Sequence, residues 1–229
     1  MDALTIGVPL SLVALTTILG ALSVRGLVRF VRQRALAQLM WGGGLGFAAL
    51  ATGVELVVYL GVVNGLLLQV YVFLSAAIVG VLSLGSTHVI RSERFRTGYS
   101  GYILAACSLV GGLTFTTPLS STMVVQGVIS GNPPVDLIVV SCLVTIPATF
   151  VLLGAVVVAL RRSFRWRTLM MGIGACVLAG GGALYIASFP VALYYSEFIG
   201  IIFIFVGLVS LPHIASAASP VGRPIGKGV

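Results

Sequence analysis

The chain has 229 residues, 59% of them hydrophobic and only 8% charged, where a soluble domain carries about a quarter. That leaves too little polar surface for a water-soluble globule. The excess of 13 Lys and Arg over 5 Asp and Glu comes without the aromatic-interleaved basic patch of a nucleic-acid-binding module. Lipid is therefore the expected solvent, and the expected class is all-α: a polytopic, multi-pass cell-membrane protein with seven transmembrane helices.

The first apolar run, about residues 4–27, has its positive charge behind it, at Arg25, Arg29, Arg32 and Arg34. It reads as an uncleaved helix and not as a signal peptide. The second, 37–60, opens on LMWGGGLG and carries one acidic side chain, Glu55. After GVVNG the third runs over 66–90 and ends near His88. RSERFR leads into the fourth, 99–124, whose LTFTTPLSSTM (113–123) surrounds Pro118 with hydroxyls. It reads as a kinked span in which Thr or Ser meets the freed carbonyl. QGVISGNPP joins it to the fifth span, 135–160. RRSFRWR precedes the sixth, 168–189, and SFPVALYY the seventh, 193–214, which ends at His213.

Every Lys and Arg follows an odd-numbered span, and the three connections after even-numbered spans contain none. The positive-inside rule then predicts an outer N-terminus and an inner C-terminus. Tyr59, Tyr71, Tyr185, Tyr194 and Tyr195 fall near the outer boundary, and Trp41, Tyr99, Tyr102 and Trp166 near the inner one, as interfacial aromatics do.

Three collinear echoes point to duplication. LMWGGGLG (39–46) returns as LMMGIGAC (169–176), ILGALSV (18–24) as LLGAVVV (152–158), and VGVLSL (79–84) as VGLVSL (206–211). The predicted organisation is one transmembrane domain built as a parallel 3+1+3 repeat. Residues 1–98 form the first three-helix repeat, 99–133 a linker helix and outer loop, 134–214 the second repeat and 215–229 a cytoplasmic tail. Gly42 and Gly46, and Gly172, Cys176 and Gly180, put small residues on one helical face each, as close helix packing requires.

Glu55 lies 17 residues beyond Gln38, about 26 Å up a helix, in the outer third of a core about 30 Å thick. Glu55, Tyr59, Gln69, Tyr71, Tyr185, Tyr194, Tyr195 and Glu197 are the candidate ligand- or ion-binding residues of an outward acidic and aromatic cup. Two readings stand side by side: a site for a proton, cation or polar ligand, and an ordinary membrane interface with Glu55 protonated or bonded to a tyrosine. His88 and His213 occupy matching repeat positions and read as inner-interface hydrogen-bonding groups ahead of metal or haem ligands. Cys107, Cys142 and Cys176 read as buried small hydrophobes. No catalytic constellation, metal set or cofactor signature is present, so a non-enzymatic role is expected.

Seven spans with parallel halves and a linker helix resemble the SWEET and PQ-loop transporters and the microbial rhodopsins. The PQ-loop Pro-Gln dipeptide is absent, and the only lysine, Lys227, lies in the tail, so no seventh-span lysine can hold retinal. GVELVVYL (53–60) is similar to seven-span sensory regions fused to histidine kinases. The resulting expectation is a small-solute or proton/cation-coupled transporter or ligand-binding protein. The alternatives are an accessory subunit with a membrane-protein partner, or homo-oligomer, and a sensor signalling through its inner loops.

Overall fold

A computed structural model describes residues 3–90, 92–125, 127–129 and 133–162, then Trp166, 169–170, 172–174, 176–177, 199–200 and 202–203. Five helices among the described residues are long and apolar enough to cross a membrane. They are α1 (Ala3–Gln33), α2 (Leu36–Tyr59), α3 (Gly65–Ser86), α4 (Glu93–Thr116) and α5 (Val135–Arg162). Two-residue strands β1 (Val124–Val125) and β2 (Val128–Ile129) pair as an antiparallel hairpin between α4 and α5. The helical membrane class is as expected; most of the sixth and seventh spans lies outside the described residues.

The helix ends follow local chemistry. Only Arg34 and Ala35 separate α1 from α2, and the Arg34 N–H closes α1 on Phe30 O at 2.7 Å. Arg34 sits at φ 54°, the left-handed cap normally given to glycine. For a residue with a side chain that conformation costs about 1–3 kcal/mol. At the other end of α2, Gly61 (φ 94°) makes a Schellman stop: Gly61 N–H bonds Val58 O at 2.9 Å and Val62 N–H bonds Val57 O at 3.2 Å. Asn64 caps α3 by accepting from Leu66 N–H at 3.1 Å. Ser92 caps α4 by accepting from Phe95 N–H at 3.3 Å.

Three spans depart from the expected bounds. Nothing after Val24 breaks the helix, so α1 runs on to Gln33. The third span's last turn tightens into a 3₁₀ segment, Thr87–Val89. The fourth starts six residues early, at the Ser92 cap, and stops at Thr116. Pro118 terminates this helix and does not kink it. A residue before proline is driven out of the helical region, and Thr117 is extended at φ −90°, ψ 120°. The Thr116 and Thr117 hydroxyls fold back on their own helix and bond the Gly112 and Leu113 carbonyls, Leu113 O also accepting the Thr117 N–H at 3.0 Å.

Among the described residues the prolines inside helices are Pro9 and Pro147. Having no N–H, Pro147 leaves the Leu143 carbonyl without its helical donor. Tyr102 of α4 fills that place: its hydroxyl donates to Leu143 O at 2.5 Å.

Packing sets the helix directions. Gly26 meets Gly42, Ser23 meets Gly46 and Thr16 bonds Thr52 at 2.9 Å, so α1 and α2 are antiparallel. A Cβ on Gly26 would stand 2.9 Å from Gly42 Cα, an approach that only glycine permits. On the other side of α2, Gly44 faces Leu82 of α3, and the Trp41 ring covers Gly85. Next, α3 meets α4 through Ser83 and Tyr99, whose hydroxyls bond at 2.7 Å, through Gly80 and Ile103, and through Phe73 and Gly111. Gly80 also contacts Val144 of α5, which makes α3 the centre of the bundle. These antiparallel runs gather Arg25, Arg29, Arg32, Arg34, Arg94 and Arg96 at one end. Glu55, Tyr59 and the hairpin lie at the other.

Candidate functional site

Ala51, Thr52, Glu55 and Val58 form the buried face of the last turns of α2, and Glu55 is only 2% exposed. Ala51 and Val58, one turn to either side of Glu55, belong to an apolar cluster with Leu68, Tyr71 and Leu74 of α3. Leu119, Met123 and Ile129, from the segment after α4, and Leu137 of α5 complete it. The carboxyl side chain therefore sits on an apolar, buried face, and among the described residues no Lys or Arg lies at that end of the bundle.

The cover over this cluster is the hairpin. After Pro118, a 3₁₀ turn (Ser121–Met123) leads into β1, and the chain reverses at Gly127 (φ 80°) with Val124 opposite Ile129. Gly127 rests on Tyr59: a Cβ there would stand 3.5 Å from the ring. Met123 and Ile129 point inward and are almost fully buried. VVQGVI carries the signal that a sequence reading can miss, two β-branched or apolar pairs around a two-residue turn ending in glycine.

The predicted site residues divide. Glu55 and Tyr71 are buried, Tyr71 at 7% exposure, and Tyr59 is half-buried beneath the hairpin. Gln69 is committed elsewhere: its amide nitrogen donates to Thr117 O at 2.8 Å and ties α3 to the end of α4. Tyr185, Tyr194, Tyr195 and Glu197 lie outside the described residues. Beneath Glu55 the polar character continues between helices, because Thr52 accepts from Thr16 and donates to carbonyls of its own helix.

Other candidates are placed plainly. His88 is exposed, with Nδ1 3.3 Å from Leu84 O, and His213 lies outside the described residues. Cys107 and Cys142 are half-buried and Cys176 is exposed, against the expectation of three buried thiols; all are free. Cys176 lines an open groove together with Val156 and Leu160 of α5 and with Leu169 and Gly172. Among the described residues no three of His, Cys, Asp and Glu come together. Asp136 is exposed in the first turn of α5, where a negative charge favours the helix dipole.

No protein-family model, curated protein or solved structure matches this chain. The functional reading therefore rests on the chemistry of its own residues. A carboxyl group held in an apolar shell can exchange a proton or bind a cation only when the shell opens.

Proposed function

We propose that this protein is a non-catalytic, seven-span cell-membrane transporter or ligand-binding protein in which Glu55 carries the coupling proton or cation. The observation that carries this reading is the burial of Glu55, 2% exposed, on an apolar helix face beneath a separate hairpin. Ionisable side chains are rare within membrane spans, and intramembrane acids mark ion and proton pathways. Tyr59 and Tyr71 flank it, and Glu197, Tyr185 and Tyr195 would complete the outward site from the second repeat.

The parallel 3+1+3 repeat has support from one pair of contacts. Gly42 packs on Ser23 and Gly26 of the preceding helix; its repeat equivalent, Gly172, packs on Val156. The ILGALSV–LLGAVVV alignment pairs Val156 with Leu22, next to Ser23. The arginine-bearing end is cytoplasmic by the positive-inside rule, which puts Glu55 toward the outside.

The test is proton flux into proteoliposomes with a trapped pH-sensitive dye, driven by a potassium diffusion potential. Wild-type protein carries protons and Glu55→Gln abolishes the flux. Equal flux in both proteins removes Glu55 from the mechanism.

One observation favours a second reading, an accessory subunit of a membrane complex. On α5, Val139, Leu143, Ile146, Phe150 and Val157 form an exposed apolar stripe. A stoichiometric partner in mild-detergent preparations, cross-linked through a cysteine placed at Phe150, would favour that role.

A further inference from the structure

The inner corner between α1 and α2 has three features that the transport reading leaves unused. First, Arg25, Arg29 and Arg32 recur at helical spacing, within an arc of about 60° on α1. Arg34 follows them directly in the turn. Second, a separate face of the same turns is apolar and open: Val24, Leu27, Val28 and Val31 are exposed large hydrophobics. Third, Arg34 holds the left-handed cap, φ 54°, that glycine would hold with less strain. Strain kept at one residue points to a use for its side chain.

Charge and length give the surface its partner. No Asp or Glu occurs between Ala3 and Val54. Among the described residues the one ion pair joins Arg96 to Glu93, at 3.5 Å, and leaves the α1 arginines uncompensated. The stretch from Ala3 to Val24 is roughly 22 residues, about 33 Å of helix, which matches the hydrocarbon core. Arg25–Gln33 therefore emerges at headgroup depth. There a guanidinium fork matches a phosphate, and Val24 and Leu27 at the core edge match the start of an acyl chain.

We propose that the α1–α2 corner is a binding site for an anionic phospholipid of the surrounding bilayer. Arg25, Arg29, Arg32 and Arg34 line the headgroup region and hold its phosphate charge, and Val24 and Leu27, on the core side, meet the first part of a chain. The inference requires the membrane reading but not the role of Glu55.

The experiment uses the full chain in nanodiscs of equal phosphatidylglycerol and phosphatidylcholine. The lipid retained after detergent extraction is counted by mass spectrometry. Wild-type protein retains phosphatidylglycerol in excess. A site of this kind rests on charge-assisted guanidinium–phosphate bonds, so the combined Arg25→Gln, Arg29→Gln and Arg32→Gln variant loses at least about tenfold of that excess. Arg34→Gly relieves the backbone while removing one charge. It keeps its helix content by circular dichroism and loses several-fold. A control with the same charge change elsewhere, Arg94→Gln, Arg96→Gln and Arg161→Gln, keeps the local contacts of the corner and loses clearly less than the α1 variant. Equal loss in the control overturns the proposal in favour of a diffuse charge effect. Displacement of the lipid by excess inorganic phosphate overturns it in favour of a free-anion site. Unchanged retention in folded Arg34→Gly protein removes Arg34 from the site.

Discussion

The α1–α2 and α4–α5 contacts solve one problem in two ways. Between α1 and α2 the backbones touch through Gly26 and Gly42, with Ser23 against Gly46, and one hydroxyl pair, Thr16–Thr52, adds a polar tie. Between α4 and α5 the specific tie is a tyrosine hydroxyl on a carbonyl that proline has released. Beside it lies an open apolar groove lined by Tyr102, Cys142, Leu143, Ile146 and Pro147. In lipid there is little hydrophobic drive to join helices, so association depends on close packing or on a polar group with no other partner. The first contact relies on packing and the second on hydrogen bonding. They should therefore fail under different substitutions.

Gly26→Leu should give the largest effect. Even a Cβ at Gly26 would stand 2.9 Å from Gly42 Cα, where backbone cannot yield as a flexible side chain would. Overpacking of this kind costs about 1–3 kcal/mol, read by unfolding in mixed detergent micelles. The same change at Gly112, where a Cβ meets nothing within 4 Å, should be close to neutral. Similar losses at both positions would break the claim that α1–α2 depends on close approach.

Tyr102→Phe comes next, at about 1 kcal/mol, and Pro147 decides how it is interpreted. In a Pro147→Ala background the new N–H at 147 can return to Leu143 O, so the tyrosine hydroxyl should matter much less. Equal losses in both backgrounds would show that Tyr102 contributes through its ring alone. In that case the contrast between the two interfaces collapses to packing in each.

The two interfaces also differ in how far sequence reveals them. LMWGGGLG announced a close helix contact because small residues four apart share a face. Counting 1.5 Å per residue set the depth of Glu55. Pro147, having no N–H, leaves a carbonyl free at Leu143, but no local rule says which neighbouring helix brings a donor. That depends on how α4 packs, and the notable feature of Tyr102 in sequence was only its interfacial position. The hairpin was hidden for another reason: VV at 124–125 extends the apolar run of the fourth span, and hydropathy does not register that Pro118 has already ended the helix. Gln69 fell in the right register for the site and was used instead to close α4, a choice set by the nearby Thr117 carbonyl.

The smallest effect should come from the polar tie inside the packed interface. Thr52 accepts from Thr16 while donating to Ala48 and Ala49 carbonyls of its own helix. When Thr52 becomes Val, the Thr16 hydroxyl can turn to a carbonyl one turn back, so its loss is partly made good. The expected coupling in a Thr16→Val, Thr52→Val double-mutant cycle is about 0.6 kcal/mol, the usual size for a hydrogen bond between membrane helices. The comparison is sharpened if this coupling stays below the cost of Tyr102→Phe, because Pro147 has removed the helical N–H that would otherwise serve Leu143 O. A coupling well above 1 kcal/mol would mean that α1 and α2 are joined mainly by their hydroxyls. The glycines would then serve to bring Thr16 and Thr52 within reach of each other.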